Sequence, residues 1–124
     1  MPSLNAIGIV SADLGRTRSF YALLGVEIEE GDTHVEATFP NGLRLMFDSE
    51  DVVRSFRPEW QRATGNTVGL AFECGSSAEV DEVYASVVAA GFQGEKEPWD
   101  AFWGQRYAQL LDPDGTPVDL FAWL

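Results

Sequence analysis

Asp112-Pro113-Asp114-Gly115 leads into the β-prone run Thr116–Phe121, and an equivalent stretch, Phe39-Pro40-Asn41-Gly42, leads into Leu43–Phe47. Proline fixes φ and glycine readily adopts positive φ, so each stretch predicts a tight turn between two strands. The segments that precede the two turns are also alike, with longer loops in the second half. A unit that occurs twice determines the fold, so the sequence predicts a duplicated module.

Each half of the chain has the pattern of a strand, a helix and three further strands. In the first half, Asp13 is a suitable N-cap for a helix that runs to about Leu24 and stops at Gly25. The strands predicted around this helix have apolar and β-prone residues between turn residues, and they are Leu4–Val10, Val26–Glu30, His34–Phe39 and Leu43–Asp48. The polar segment Ser49–Gly65 is predicted to connect the halves.

The second half begins with a predicted strand, Thr67–Glu73, and a helix capped by Ser76 or Ser77. The apolar face of that helix has helical spacing and consists of Val80, Val83, Tyr84, Val87 and Val88. Tyr107–Leu111 and Val118–Trp123 are the last clear strands. The sequence therefore predicts an α+β fold of two βαβββ modules within one structural domain, residues 1–63 with the connector and residues 64–124.

Composition limits the possible partners. The 124 residues carry a net charge of −12 and include one cysteine, so neither an internal disulfide nor a cysteine-rich metal site is possible. A strongly acidic chain repels nucleic acid and anionic membranes. No apolar run approaches the length that spans a bilayer and no leader is evident, so we expect a cytoplasmic protein.

The order of elements, the helix end Phe20-Tyr21…Leu24-Gly25 and the Asp112–Gly115 turn resemble the vicinal oxygen chelate superfamily. That group includes glyoxalase I, extradiol dioxygenases, fosfomycin-inactivating enzymes and bleomycin-binding resistance proteins. The resemblance implies that the modules form a cup-shaped, partly closed mixed sheet around a pocket, commonly in a dimer. The apolar run Leu120–Leu124 independently favours burial against a second copy, and hence a homodimer.

The positions at which metal-dependent members of that superfamily carry ligands hold other residues here. The resemblance places a His on the first strand of a module, where this chain has Ala6 or Gly69, and a Glu after the turn, where it has Met46 or Asp119. Only Asp119 could coordinate a hard divalent ion, and one carboxylate does not hold a metal. We therefore expect no metal and no cofactor.

Aromatic residues are concentrated in one short segment of the second half. Trp99, Phe102, Trp103 and Tyr107 lie in what the sequence predicts to be a loop, with Gly104 allowing a close backbone approach. Exposed tryptophans are costly on a surface, and flat rings stack on planar or cationic ligands. A ligand-binding role is therefore one interpretation; the other is that the rings only close the core or a dimer seam.

Three stretches resemble the antibiotic-binding resistance proteins of the superfamily, the mitomycin-binding ones above all: Arg54–Gln61, Pro98-Trp99, and Trp103–Ala108 followed by the Asp112–Gly115 turn. The resemblance implies that Trp103 stacks on the drug and that Phe47 provides a second aromatic ring. The full set of candidate ligand-binding residues is Met46, Phe47, Phe56, Trp60, Trp99, Trp103, Gln105, Arg106, Tyr107 and Asp119. No residue is predicted to be catalytic, and His34 is predicted to be a solvated strand residue.

The sequence thus predicts a metal-free protein that sequesters a planar or cationic natural product, such as a mitomycin-, bleomycin- or enediyne-like antibiotic, for self-resistance. Two alternatives remain open at this point. One is a metal-independent isomerase or cyclase with Asp119, Asp48 or Tyr107 as base. The other is a carrier of biosynthetic intermediates.

Overall fold

A computed structural model describes residues 1–65 and 67–124 of the chain. The chain divides into two compact units, Met1–Arg62 and Ala63–Leu124. Each unit contains a mixed sheet and at least one helix, which confirms the predicted α+β class. None of the helices among the described residues has the length and apolar character needed to cross a membrane.

The first unit contains a three-stranded sheet. Its elements are β1 (Ala6–Ser11), α1 (Leu14–Ala22), β2 (His34–Thr38), β3 (Arg44–Ser49) and α2 (Glu50–Phe56), and the strand order is β1-β3-β2. Asp13 caps α1 as predicted, because its carboxylate accepts a hydrogen bond from the Arg16 backbone N–H. Helix α1 packs on β3, where Tyr21 contacts Phe47 with ring centroids 4.9 Å apart.

The predicted strand Val26–Glu30 does not form, so the first unit has one strand fewer than the βαβββ pattern requires. Its alternation is present, because Val26 and Ile28 are buried whereas the glutamates between and after them are exposed. The Ile28 carbonyl accepts a hydrogen bond from Arg18 Nε at 2.9 Å instead of from a neighbouring strand. The alternating sequence pattern of Val26–Glu30 correctly indicated which side chains are buried. It wrongly indicated that this segment is a strand of the sheet.

The connector Ser49–Gly65 contains a helix that we did not predict, α2. Ser49 caps it by accepting from the Val52 backbone N–H at 3.2 Å. Glu50 and Asp51 occupy its first turn and Arg54 its last, which suits the helix dipole at both ends. These capping and charge signals are present in the sequence, but the helix that they flank is only seven residues long.

The second unit contains a four-stranded sheet. Its elements are β4 (Leu70–Glu73), α3 (Ser77–Ala89), β5 (Gln93–Ala101), β6 (Gln105–Leu111) and β7 (Pro117–Trp123), in strand order β4-β7-β6-β5. Ser76 caps α3, and Val80 and Val87 on the predicted apolar face are fully buried. The predicted aromatic loop is instead a β5–β6 hairpin, with Trp99 on β5 and Tyr107 on β6.

The Asp112–Gly115 turn joins β6 to β7, as predicted. The buried Asp112 carboxylate accepts hydrogen bonds from the backbone N–H groups of Asp114 and Thr116, each at 2.9 Å. Gly115 has a φ of 83°, which only glycine adopts without strain. The turn fixes the β6–β7 register and therefore sets which side chains of the two strands lie side by side.

Candidate functional site: an aromatic sheet face

The second sheet has one face covered by a helix and one face without a helix. Helix α3 packs on β5, β6 and β7, and the strand residues facing it are buried, among them Ala108, Leu110 and Leu120. Because side chains alternate along a strand, Tyr107, Asp119 and Phe121 lie on the opposite face. We call this second surface the open face of the second sheet.

Three aromatic residues cross the open face in register. Trp99 on β5 pairs with Tyr107 on β6, which pairs with Phe121 on β7. The Trp99 and Tyr107 ring centroids are 5.5 Å apart and those of Tyr107 and Phe121 are 6.4 Å apart. We call these three residues the aromatic row. The Tyr107 and Phe121 rings are nearly parallel, at 23°, whereas Trp99 meets Tyr107 edge to face, at 70°. Half-buried aromatic rings of this kind stack on planar ligands.

Trp103 extends the aromatic row from the β5–β6 turn. Its ring makes edge-to-face contacts with Trp99 at 6.0 Å and with Tyr107 at 5.2 Å. Its Nε1–H donates to Gln105 Oε1 at 2.7 Å, which fixes the indole orientation. The residue nevertheless remains 45% exposed, so it has ring surface available to a ligand. Phe102, beside it, is 97% exposed.

A hydrogen-bonded pair of polar groups lies beside the aromatic row. The Tyr107 hydroxyl donates to Asp119 Oδ2 at 2.5 Å. Burial, reinforced by the hydrogen bond to Asp119 and by its charge, raises the pKa of Tyr107 to about 12. Tyr107 is therefore protonated at neutral pH. Asp119, which is half-buried, is the hydrogen-bond acceptor next to the rings.

A cation already rests on the aromatic row. The Lys96 ammonium lies over the Trp99 ring, 3.9 Å from the centroid. Lys96 and Trp99 are three positions apart and would ordinarily face opposite sides of a strand, but the β5–β6 register shifts between them. This irregularity brings both side chains to one face.

The structure brings together five of the candidate residues on or beside the open face, namely Trp99, Trp103, Gln105, Tyr107 and Asp119. It does not bring Arg106 to them. Arg106 faces α3, where Nε donates to Asp81 at 3.0 Å and a second nitrogen donates to Asp100 at 3.3 Å. Hydrogen bonding to Asp81 is the main cause of its raised pKa.

The other candidates lie in the first unit and are dispersed. Met46 is half-buried on the helix-free face of the first sheet, whereas Phe47 is fully buried in the core against Tyr21. Phe56 is exposed at the end of α2. Trp60 already has two guanidinium groups near its ring, at 5.1 and 5.4 Å, and it lines an open surface depression of about 470 Å³ with Arg57–Glu59.

A charged network that the sequence analysis missed occupies the helix-free face of the first sheet. His34 Nδ1 is 2.7 Å from Asp48 Oδ1 and its Nε2 is 2.9 Å from Glu36 Oε1. Arg44 donates to Glu36 at 3.1 Å and to Asn5 at 3.0 Å. Hydrogen bonds to Glu36 and then to Asp48 raise the pKa of His34, and the hydrogen bond from His34 lowers the pKa of Glu36.

The His34 network predicts a stability that depends on pH. The folded-state pKa of His34 lies above the unfolded value of 6.5, so its stabilising effect is complete below that value and is lost as the pH rises through the folded pKa. Urea unfolding of wild type and of His34→Gln should therefore differ most near pH 6 and least near pH 9.

The permanent cation of the same network provides the control for this measurement. Arg44→Gln removes a partner of Glu36 that does not itself titrate in this range, so its effect on the free energy of unfolding should change much less between pH 6 and pH 9 than the effect of His34→Gln. A difference between wild type and His34→Gln that grew with pH would contradict the assignment of His34 as the titrating group.

The metal-ligand positions of the superfamily do not fit a metal in this structure. Ala6 and Met46 lie on the helix-free face of the first sheet and have no suitable donor. In the second unit, Gly69 precedes β4 and has no side chain, and Asp119 pairs with Ala71, which has no donor either. Across residues 1–65 and 67–124, no group of three or more His, Cys, Asp or Glu side chains is arranged to hold a metal ion.

Comparison with known proteins identifies the family. The family model described as the Glyoxalase/Bleomycin resistance protein/Dioxygenase superfamily matches residues 3–120. The chain therefore belongs to this superfamily, as the resemblance indicated. The comparison does not show that it is closer to mitomycin-binding proteins than to other members. A search of curated proteins found no match.

Several solved structures resemble this one. A glyoxalase/bleomycin resistance protein/dioxygenase from Nocardioides is 26% identical, with 100% of this chain and 85% of that chain covered and a TM-score of 0.77. A glyoxalase/bleomycin resistance protein/dioxygenase family enzyme from Burkholderia phytofirmans PsJN is 18% identical, with 99% of this chain and 100% of that chain covered and a TM-score of 0.87. A protein from Agrobacterium tumefaciens, whose structure was determined by NMR in solution, is 26% identical, with 100% of this chain and 99% of that chain covered and a TM-score of 0.77. These likenesses extend over the whole fold.

Proposed function

We propose that this protein binds a planar, poorly soluble or cationic natural product on the open face of the second sheet and sequesters it without a metal and without altering it. The ligand class would be an antibiotic of mitomycin, bleomycin or enediyne type, and the role would be self-resistance in the cytoplasm. The protein would act as a homodimer, with the exposed C-terminal residues Trp123 and Leu124 buried against the second copy.

The observation that carries this proposal is the aromatic row with Trp103 beside it. Its rings contact one another at 5.2 to 6.4 Å, three pairs edge to face and Tyr107–Phe121 stacked, and this packing holds them in place before a ligand arrives. A preorganised surface of this kind loses little side-chain entropy on binding. Each stacking contact stabilises a complex by about 0.5–1.5 kcal/mol beyond area burial, so several rings together support useful affinity.

The polar groups beside the row favour binding over chemistry. Tyr107, with a pKa of about 12, is a poor base at neutral pH. Asp48, another candidate base, is engaged with His34. Asp119 accepts the Tyr107 hydrogen bond, which orients both groups for contact with a ligand donor.

A metal-independent enzyme of the same fold is the second candidate, because one of its candidate bases, Asp119, lies beside the aromatic row. Its carboxylate can act as the general base in an isomerisation or a cyclisation, with the Tyr107 hydroxyl that donates to it holding it in position. A carrier of biosynthetic intermediates would use the aromatic surface in the same way as a resistance protein, but its ligand would be an intermediate and not the finished antibiotic.

One incubation experiment separates the binder from the enzyme. Purified protein is mixed with a panel containing a mitomycin, a bleomycin and an enediyne chromophore, and binding is followed by quenching of tryptophan emission. Bound material is then extracted and analysed by mass spectrometry. We expect at least one member to bind and to return with unchanged mass and retention time. A product that accumulates with wild type and not with Tyr107→Phe would establish the enzyme instead.

A further inference from the structure

The contact partner of the Lys96 ammonium is an aromatic ring and not a carboxylate. The chain contains 20 acidic residues and only eight lysines and arginines, yet in the part of the chain that the structure describes Lys96 forms no ion pair. Its charged group lies on the Trp99 ring, 3.9 Å from the centroid. Lys96 is exposed, so burial does not confine its ammonium to the ring. The indole face is the site it occupies.

We propose that Lys96 is a tethered occupant of the aromatic row, held on the Trp99 face that a planar organic cation takes when it binds. The proposal rests on the proposed function and makes it more specific, because it names the ligand class as a positively charged, flat heteroaromatic ring. The ring of such a ligand stacks on the aromatic row, and its charge replaces the ammonium over the indole.

The sheet register supports a cation at this place. Lys96 pairs with Gln109, which pairs with Asp119 on the next strand. The parallel row beside it consists of Trp99, Tyr107 and Phe121 and continues to Glu73 on β4. The first of these rows contains the Asp119 carboxylate, and the second ends at the Glu73 carboxylate. The open face therefore has aromatic rings with negative charge beside them. That combination favours organic cations over neutral or anionic rings.

The experiment uses two probes of nearly the same shape, 1-methylquinolinium, which is permanently charged, and 1-methylnaphthalene, which is neutral. Full-length ¹⁵N-labelled protein is titrated with each probe, and the indole N–H signals of its four tryptophans are followed, assigned by single Trp→Phe variants. Lys96→Met removes the ammonium and keeps the length of the side chain. Lys96→Arg keeps a cation over the ring.

We expect both probes to shift the Trp99 and Trp103 signals. Lys96→Met should tighten 1-methylquinolinium binding about three- to tenfold, because the competing cation is gone. The same variant should change 1-methylnaphthalene binding less than about twofold, and Lys96→Arg should behave as wild type. The matched control for overall charge is Arg57→Gln, which removes one positive charge from an exposed residue outside the open face and should change neither affinity by more than about twofold.

Four results would overturn the proposal. Weaker or unchanged 1-methylquinolinium binding by Lys96→Met would show that the ammonium does not compete with the ligand. An equal gain with Arg57→Gln would assign the effect to the overall charge. Binding of 1-methylnaphthalene alone would refute the cationic ligand class but leave the proposed aromatic binding surface intact. Failure of both probes to shift the Trp99 and Trp103 signals, in wild type and in Lys96→Met, would refute the proposed function as well.

Discussion

Trp103→Ala should abolish most of the affinity for whichever antibiotic of the panel binds best. The substitution removes stacking area and leaves Trp99 and Tyr107 without the ring that packs edge-on against both. Binding hot spots of this kind cost about 2–4 kcal/mol when truncated to alanine, which is roughly a 30- to 1,000-fold loss in affinity. Isothermal titration calorimetry of the purified variant measures this directly.

The fold should survive this substitution. Trp103 lies in a turn and is 45% exposed, so the free energy of unfolding should fall by no more than about 1 kcal/mol. Trp103→Phe should recover part of the affinity, because a ring remains but the hydrogen bond to Gln105 is lost. Trp60→Ala is the comparison variant, since this second candidate indole lies outside the aromatic row and has two guanidinium groups near its ring. Normal antibiotic binding by Trp103→Ala, with loss in Trp60→Ala, would place the ligand elsewhere.

Local chemistry made much of the fold predictable. The two proline–glycine turns and the Asp13 and Ser76 caps are decided by residues within a few positions of one another, and each forms as expected. The strand Val26–Glu30 was wrongly predicted because alternation reports burial and does not report whether a neighbouring strand is present.

The aromatic segment was identified correctly as a cluster, but its conformation was not. The sequence predicted a loop around Trp99, whereas the structure places Trp99 on β5. In the structure Pro98 lies within β5, the edge strand, where a missing N–H is tolerated. The irregular β5–β6 register that brings Lys96 over Trp99 depends on tertiary pairing and has no local signature in the sequence.

The His34 network was available to sequence reasoning but was not found. The turn between β2 and β3 was predicted, and a turn fixes which residues pair across it. Counting outward from that turn pairs Thr38 with Arg44, Glu36 with Met46 and His34 with Asp48, as the structure has them. Composition around His34 suggested only solvent exposure, whereas register would have placed two carboxylates beside it.

Met46 and Phe47 are adjacent on β3 but lie on opposite faces of the first sheet, so only one of them can contact a ligand on the helix-free face. The resemblance to antibiotic-binding proteins put both at the candidate site, but adjacent strand residues face opposite sides. Met46 is half-buried on the helix-free face, opposite Gly8 and Glu36. Phe47 lies under α1 and has no exposed surface. In this structure, therefore, the Phe47 ring stabilises the core of the first unit and has no face open to a ligand.

Phe47→Ala should accordingly be the most destabilising of these substitutions. Removing a fully buried phenylalanine costs about 3–5 kcal/mol, because the transfer free energy of the ring is lost and a cavity is left against Tyr21. Urea unfolding followed by circular dichroism measures the loss. Phe47→Leu should cost much less, about 1 kcal/mol, since it keeps most of the apolar volume.

Met46→Ala is the matched neighbour for this test. Half-burial limits its cost to about 1 kcal/mol of unfolding free energy, so the two adjacent substitutions should differ several-fold in stability. Phe47→Leu should bind the antibiotic as wild type does, because the change lies in the core. If Phe47→Leu kept full stability and lost binding, the ring would contact the ligand, and the first unit would have to rearrange to expose it.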